Sequence, residues 1–222
     1  MKSPALRLAV AALLLSGLSS TAAASGYWYV GLGTGLSYGQ LYPADFNIDP
    51  AVVTQCAPPN ACTETKEEYD AGFKGFVGYQ INRSWAFEVS VASVGKFNYK
   101  ATSGSVTQES IYKVSGWGFA LLPTIPFGQK FSLYGKLGGF SSTTRMTIHN
   151  KDFVPGNSTS GAQHSELTPL TGFGAQLFFD EESGIRFEFE NYGTVGCAIS
   201  ANTNCTGRAN VKMLSVNLLF PF

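Results

Sequence analysis

Large apolar side chains recur at every second position in run after run of this chain. Trp28, Val30, Leu32 and Leu36 alternate with Tyr27, Tyr29, Gly31, Gly33, Gly35 and Ser37, and Phe73, Val77, Tyr79 and Ile81 alternate with Gly72, Lys74, Gly78 and Gln80. The same period returns in Trp85, Phe87, Val89 and Val91 against Glu88 and Ser90. At the terminus, Leu214, Val216, Leu218, Phe220 and Phe222 oppose Met213, Ser215, Asn217 and Leu219. Successive side chains on a strand point to opposite faces, so this period predicts strands, each with one apolar face. Eight are predicted, at approximately 26–40, 69–81, 84–99, 110–124, 130–147, 166–180, 184–195 and 208–222.

The connections alternate in length. Short ones at 81–84, 124–129 and 180–184 carry the Asn, Ser, Pro and Gly of tight turns, whereas 41–68, 100–109, 148–165 and 196–207 are long. Alternation of this kind gathers the long loops at one end of an antiparallel up-and-down sheet, and an even strand count lets that sheet close into a barrel.

Period two does not say which face meets water. A soluble barrel of the lipocalin kind would place the large apolar set inside. Three features favour lipid outside instead. Trp28, Tyr79, Trp85, Phe127, Phe131, Phe179, Phe187, Phe220 and Phe222 gather near the short turns and chain ends, as an interfacial aromatic girdle does. A second set, Tyr38, Phe97, Tyr99, Tyr112 and Tyr192, is read as a looser girdle near the long loops. The opposite face is rich in glycine, which suits a narrow interior, and no charge breaks the apolar face in mid-strand. Lys113, on the apolar parity, lies far enough toward the long loops to reach headgroups.

Composition adds a compartment. Lys2 and Arg7 precede an apolar run from Leu8 to Leu18, too short to span a bilayer, and Ala22–Ala24 supply a small-residue cleavage site. Residues 1–24 therefore read as a signal peptide and 25–222 as the barrel domain. The 15 basic residues less Lys2 and Arg7 leave 13 against 15 acidic ones, a balance that gives no footprint for nucleic acid. Four cysteines suit an oxidising compartment and allow three connectivities; the local pairs Cys56–Cys62 and Cys197–Cys205 are favoured. A zinc site lacks support, because neither pair has C-x-x-C spacing and no histidine lies in either loop.

The charged residues on the glycine face are the chemically informative ones. Lys74, Lys136 and Arg186 are balanced by Glu88, Glu188 and Glu190, all on the parity assigned to the interior. Unpaired charge there is costly, so the six are expected to form one ion-pair network, either a polar plug or a gate. The plug is favoured, because eight strands leave an interior just wide enough for side chains to fill. Catalysis has little to stand on. His149 and His164 lie in or beside the third long loop, and Ser165, adjacent to His164, would point the other way on a strand. Gly31-Leu32-Gly33-Thr34-Gly35 lacks the helix that a phosphate loop needs. No cofactor is expected.

These residues also carry a family likeness. Gly26-Tyr27-Trp28-Tyr29-Val30-Gly31, Phe76-Val77-Gly78-Tyr79-Gln80, Trp85-Ala86-Phe87-Glu88, Leu133-Tyr134-Gly135-Lys136-Leu137-Gly138, Gly184-Ile185-Arg186-Phe187-Glu188-Phe189 and Phe222 make the mature chain resemble the OmpA-like transmembrane domain family. That family groups small eight-stranded outer-membrane β-barrels, with OmpX and the opacity proteins. The resemblance implies an all-β, antiparallel transmembrane barrel in the outer membrane of a Gram-negative bacterium. It further implies that Glu88, Lys136, Arg186 and Glu188 match the family's interior salt-bridge positions, and that Phe222 is read by the barrel-insertion machinery. Many members of the family also carry a C-terminal peptidoglycan-binding domain; the resemblance, which rests on the barrel, is not expected to imply wall tethering. The expectation is a monomeric, non-enzymatic barrel embedded in outer-membrane lipid, structural or adhesin-like, whose loops carry any host or surface ligand. A narrow gated, porin-like channel is the alternative, and a lipid-modifying barrel enzyme a remote third.

Overall fold

The computed structural model describes residues 26–42, 45, 63–103, 106–151, 159–198 and 205–222. The signal segment, Cys56, Cys62 and much of three long loops lie outside these. The strands are β1 Tyr27–Leu41, β2 Thr63–Glu67, β3 Tyr69–Asn82, β4 Trp85–Ser103, β5 Val106–Phe127, β6 Phe131–Lys151, β7 Thr159–Phe178, β8 Gly184–Cys197 and β9 Gly207–Pro221. Eight of them form a closed antiparallel ring in chain order, and β1 pairs with β9 to seal it, from Tyr29 opposite Pro221 to Leu41 opposite Ala209. The ninth, β2, is an outward continuation of β3 beyond Glu68 that pairs, among the described residues, with β4 alone. Glu68 secures this break: its carbonyl accepts from the Gly39 N–H at 2.8 Å and its carboxylate from Leu41 N–H at 3.1 Å.

The orientation of the alternation is the one expected. Leu32 is 67% exposed and Trp28, Phe73, Val91, Trp117, Leu137, Phe173, Phe187, Leu214 and Leu218 share its outward face. Gly31, Gly72, Gly78, Gly172, Gly174, Ser90, Ser215, Asn217 and the charged set face inward. Glycine is required sterically at several inward positions: a methyl group at Gly31 would overlap the Phe76 ring, and one at Gly78 the Tyr29 ring. Small and large residues thus alternate around the wall, and the rings fill the space that the glycines leave.

Two expectations need correction. Segments 100–103, 106–109, 148–151 and 159–165, read as loop, continue β4 to β7 outward. Those strands run 19 to 22 residues, about twice the 9–11 that cross a bilayer. Their outer halves have water on one side, so polar side chains such as Thr107 and Gln108 occupy both faces and no period shows. Secondly, Phe97, Tyr99, Tyr112 and Tyr192 are not an outer girdle; all four are buried inside the barrel. Tyr112 and Tyr192 simply share the parity of inward neighbours. Phe97 and Tyr99 are turned inward by a bulge between Ser93 and Gly95, where Gly95 adopts φ 138°, so that the inward set passes from Ala92 and Val94 to Phe97 and Tyr99. The outward aromatics toward that end include Trp117 and the cross-strand pair Tyr38–Tyr69, with ring centroids 5.0 Å apart.

Candidate functional site

Six charged side chains meet at the centre of the barrel, in the half nearer the short turns. Each is placed by strand parity. Lys74 comes from β3, Glu88 from β4, Lys136 from β6, and Arg186, Glu188 and Glu190 from alternate positions on β8. Gly172 and Gly174 on β7 lie between β6 and β8 in register, Gly172 between Lys136 and Glu190 and Gly174 between Tyr134 and Glu188. Without side chains there, the β6 and β8 groups reach each other across the gap.

The network is continuous. Lys136 Nζ donates to Glu88 Oε1 at 2.5 Å and to Glu188 Oε1 and Glu190 Oε1, both at 2.8 Å. Lys74 Nζ donates to Glu188 Oε1 at 2.7 Å and Glu190 Oε2 at 2.8 Å. Arg186 Nη1 donates to Glu88 Oε2 at 2.6 Å, while its Nη2 donates to Gln176 Oε1 at 3.1 Å. Tyr134 and Tyr192 hydroxyls cap Glu188 and Glu190 at 2.8 Å each. The guanidinium also lies over the rings of Phe76 and Tyr134, 4.8 and 4.9 Å from their centroids. All six residues are buried, three positive against three negative, so the cluster is neutral as a unit. Neutrality matters because one uncompensated ion at this depth costs several kcal/mol.

Sequence reasoning missed the layer above. Phe97, Tyr99, Tyr112, Phe140, Leu170 and Tyr192 fill the outer half of the interior. Phe140 and Tyr192 pack edge to face at 4.6 Å, and the Tyr112 hydroxyl donates to the Val195 carbonyl at 2.8 Å. The signal for this layer was present in the parity of Tyr112 and Tyr192; for Phe97 and Tyr99 the bulge hid it. Glu166 is a further inward acid, on the parity of Thr168 and Leu170. Below the ion cluster, a vestibule of about 480 Å³ opens toward the short turns, lined by Tyr27, Gln80, Thr124, Ser132 and Gln176. Gln176 both lines it and accepts from Arg186 Nη2.

Cys197 and Cys205 form a disulfide where β8 ends and β9 begins, with Cys197 opposite Gly207. Cys56 and Cys62 fall outside the described residues. Phe222 ends the chain with its side chain 73% exposed on the lipid side, its N–H donating to the Trp28 carbonyl at 2.9 Å. His149 and His164 are on β6 and β7 respectively; His149 is opposite Glu109 and Thr159. Ser165 faces outward and bonds Thr143 Oγ1 at 3.1 Å, whereas the carbonyl of His164 accepts from Thr144. Among the described residues, no three His, Cys, Asp or Glu side chains are grouped to hold a metal.

Comparison with known proteins follows the same outline. The family model of the OmpA-like transmembrane domain matches residues 23–222. Outer membrane protein A of Escherichia fergusonii is 27% identical over 222 residues, covering all of this chain and 56% of that protein. Its counterpart in Yersinia pseudotuberculosis is 24% identical over 196 residues, 88% of this chain and 50% of the relative. The chain thus spans about half the length of the curated relatives it matches. Among solved structures, outer membrane protein AlkL in lipid bilayers superposes with a TM-score of 0.50 at 12% identity, covering 92% of this chain and 93% of that one. Neisserial surface protein A gives 0.48 at 13%, covering 88% and 97%. Ring, registers, outward apolar belt and family match agree: the chain belongs to the OmpA-like transmembrane domain family, as an eight-stranded β-barrel of the Gram-negative outer membrane.

Proposed function

We propose that this protein is a non-enzymatic outer-membrane barrel whose interior is a permanent plug and whose raised outer rim carries binding to a surface or host ligand. The observation that carries this reading is the double filling of the interior. A solute entering from the short-turn vestibule meets the neutral ion cluster, and beyond it the layer of Phe97, Tyr99, Tyr112 and Phe140. Opening a path requires both to rearrange, and the ion pairs are short and mutually braced. Meanwhile β4 to β7 carry hydrogen-bonded sheet well past the apolar belt, which gives the exterior a rigid scaffold for recognition loops.

In this reading residues 1–24 are removed on export, residues 25–222 remain as a monomer in outer-membrane lipid, and exposed Phe222 is the feature read by the insertion machinery. The six interior charges serve stability, with no cofactor and no nucleic acid involved. Planar-bilayer recording tests the plug: the expected result is little or no conductance, and large stable steps would favour the gated channel. Deleting 41–68 tests the rim: surface binding should fall while the heat-modifiable gel mobility of the folded barrel is kept. Removing Phe222 should lower the yield of inserted barrel; unchanged insertion would remove its assigned role.

A further inference from the structure

Three cations form a row on the outward face near the long-loop end. Lys96 on β4 lies directly opposite Lys113 on β5, and Lys113 directly opposite Arg145 on β6. All three are exposed, and among the described residues none has a carboxylate within ion-pair distance of its side chain. Like charges facing one another across strands destabilise a sheet. The next charged row outward shows the usual remedy, since Glu109 there stands between Lys100 and His149. In the inner row no acid stands between the cations: Asp70, beside Lys96, is engaged by the Lys96 backbone N–H, and the two adjacent like-charge pairs call for an external anion.

The surroundings say what kind. One step toward the membrane, Ser93, Ser115, Thr143 and Ser165 form a row of hydroxyls across four strands. One step further, Val91, Trp117 and Leu167 begin the apolar belt. Lys96 also sits at the level of the outward Tyr38–Tyr69 pair, because its N–H donates at 2.6 Å to Asp70, the neighbour of Tyr69. Tyrosines at such a level mark the membrane interface. Ascending the wall, one therefore meets hydrocarbon, then hydroxyl hydrogen bonds, then concentrated positive charge. Gln163, directly opposite Arg145 on β7, accepts from Arg145 Nε at 3.1 Å, which ties the guanidinium to the end of the row.

We propose that this three-band strip binds a phosphorylated glycolipid of the outer leaflet. Its acyl chains lie on Val91, Trp117 and Leu167, its sugar hydroxyls meet the Ser/Thr row, and its phosphates bridge Lys96, Lys113 and Arg145. The anion removes the like-charge repulsion, so lipid binding and sheet stability are linked.

The test uses the folded barrel in phosphatidylcholine nanodiscs with and without bisphosphorylated lipid A, read by native mass spectrometry of retained lipid and by the thermal unfolding midpoint. Lipid A is expected to be retained and to raise the midpoint. K96Q/K113Q/R145Q should weaken retention by roughly a hundredfold, each interfacial cation contributing about one factor of five. The charge-keeping K113R should retain it. R83Q/K130Q, at the short-turn end, should behave as the parent chain. Equal retention by the triple variant, equal loss in R83Q/K130Q, or equal stabilisation by phosphatidylglycerol or by free inorganic phosphate would each overturn the assignment. Midpoint elevation in the triple variant without lipid, from relief of repulsion, would support it.

Discussion

Replacing Glu88 by alanine removes one of the cluster's three anions and leaves it with a net positive charge. The loss is uneven. Lys136 keeps Glu188 and Glu190 at 2.8 Å, whereas Arg186 loses its 2.6 Å partner and is left with Glu188 at 3.8 Å. Arg186 is buried and its remaining partners are Gln176 and aromatic faces, so the guanidinium becomes the uncompensated ion. Breaking a buried pair from one side costs about 3–5 kcal/mol. With a urea slope of about 2 kcal/mol per molar, the unfolding midpoint should fall by roughly 2 M. Urea titration of the barrel in lipid vesicles, followed by tryptophan fluorescence, measures it. The double variant Glu88→Ala/Arg186→Met restores neutrality and should regain about 2 kcal/mol relative to the summed single losses. An unmoved midpoint in Glu88→Ala, or strict additivity in the double variant, would refute the view that these charges act as one neutral unit.

Three further outcomes follow from other parts of the wall. Gly95→Ala places a side chain at φ 138°, with its Cβ 3.1 Å from that of Asp70; a loss of about 1–3 kcal/mol is expected in the same titration, and no loss would deny the bulge its steric need. Cys205→Ser opens a disulfide spanning 8 residues, and loop-closure entropy predicts a loss of about 2–3 kcal/mol, absent when the parent is compared under full reduction. At the short turn, the Ser183 hydroxyl at 2.8 Å and the Glu182 N–H at 3.0 Å hold the Asp180 carboxyl below its usual range. Because the folded value is lowered, the turn's contribution is complete above the ordinary aspartate range and is lost as pH falls through the lowered value. Amide exchange at Glu182 should therefore lose protection only at acid pH, and Asp180→Asn should flatten that dependence.

The ring, its closure and the outward apolar face were legible because the belt imposes a strict period of two wherever lipid lies on one side. Leu214 to Phe222 illustrate it: each step alternates lipid with interior, and the register against β1 follows. The six interior charges were legible for the same reason, since Lys74, Glu88 and Glu188 stand on the parity opposite the large apolar set. Outside the belt the constraint vanishes. Thr107, Gln108, Glu109 and Ser110 belong to a paired strand, yet water lies outside and the inward positions are the buried polar Gln108 and Ser110, so neither face shows apolar residues. The inward turn of Phe97 and Tyr99 depended on one extra residue at Gly95, which shifts every later side chain by one face. Period-two reasoning has no means of seeing that shift until a structure shows the register.

The two faces of the wall solve opposite electrostatic problems with the same strand chemistry. Inside, solvent is excluded, so charge must be balanced locally: three cations and three anions interlock within hydrogen-bonding distance. Outside, at the outer interface, Lys96, Lys113 and Arg145 have no carboxylate within ion-pair distance of their side chains among the described residues, and like charges facing across strands destabilise the sheet unless its surroundings supply counter-charge. A leaflet rich in phosphate does so continuously. The same barrel would then be held from within by neutrality and from without by its lipid, and interior and rim substitutions should add in their effects, being separated by the wall. Combining Glu88→Ala with the triple rim variant measures this directly. Additive losses in lipid A nanodiscs are expected, and a rim effect that disappears once Glu88 is gone would show that the two networks share a single cooperative element.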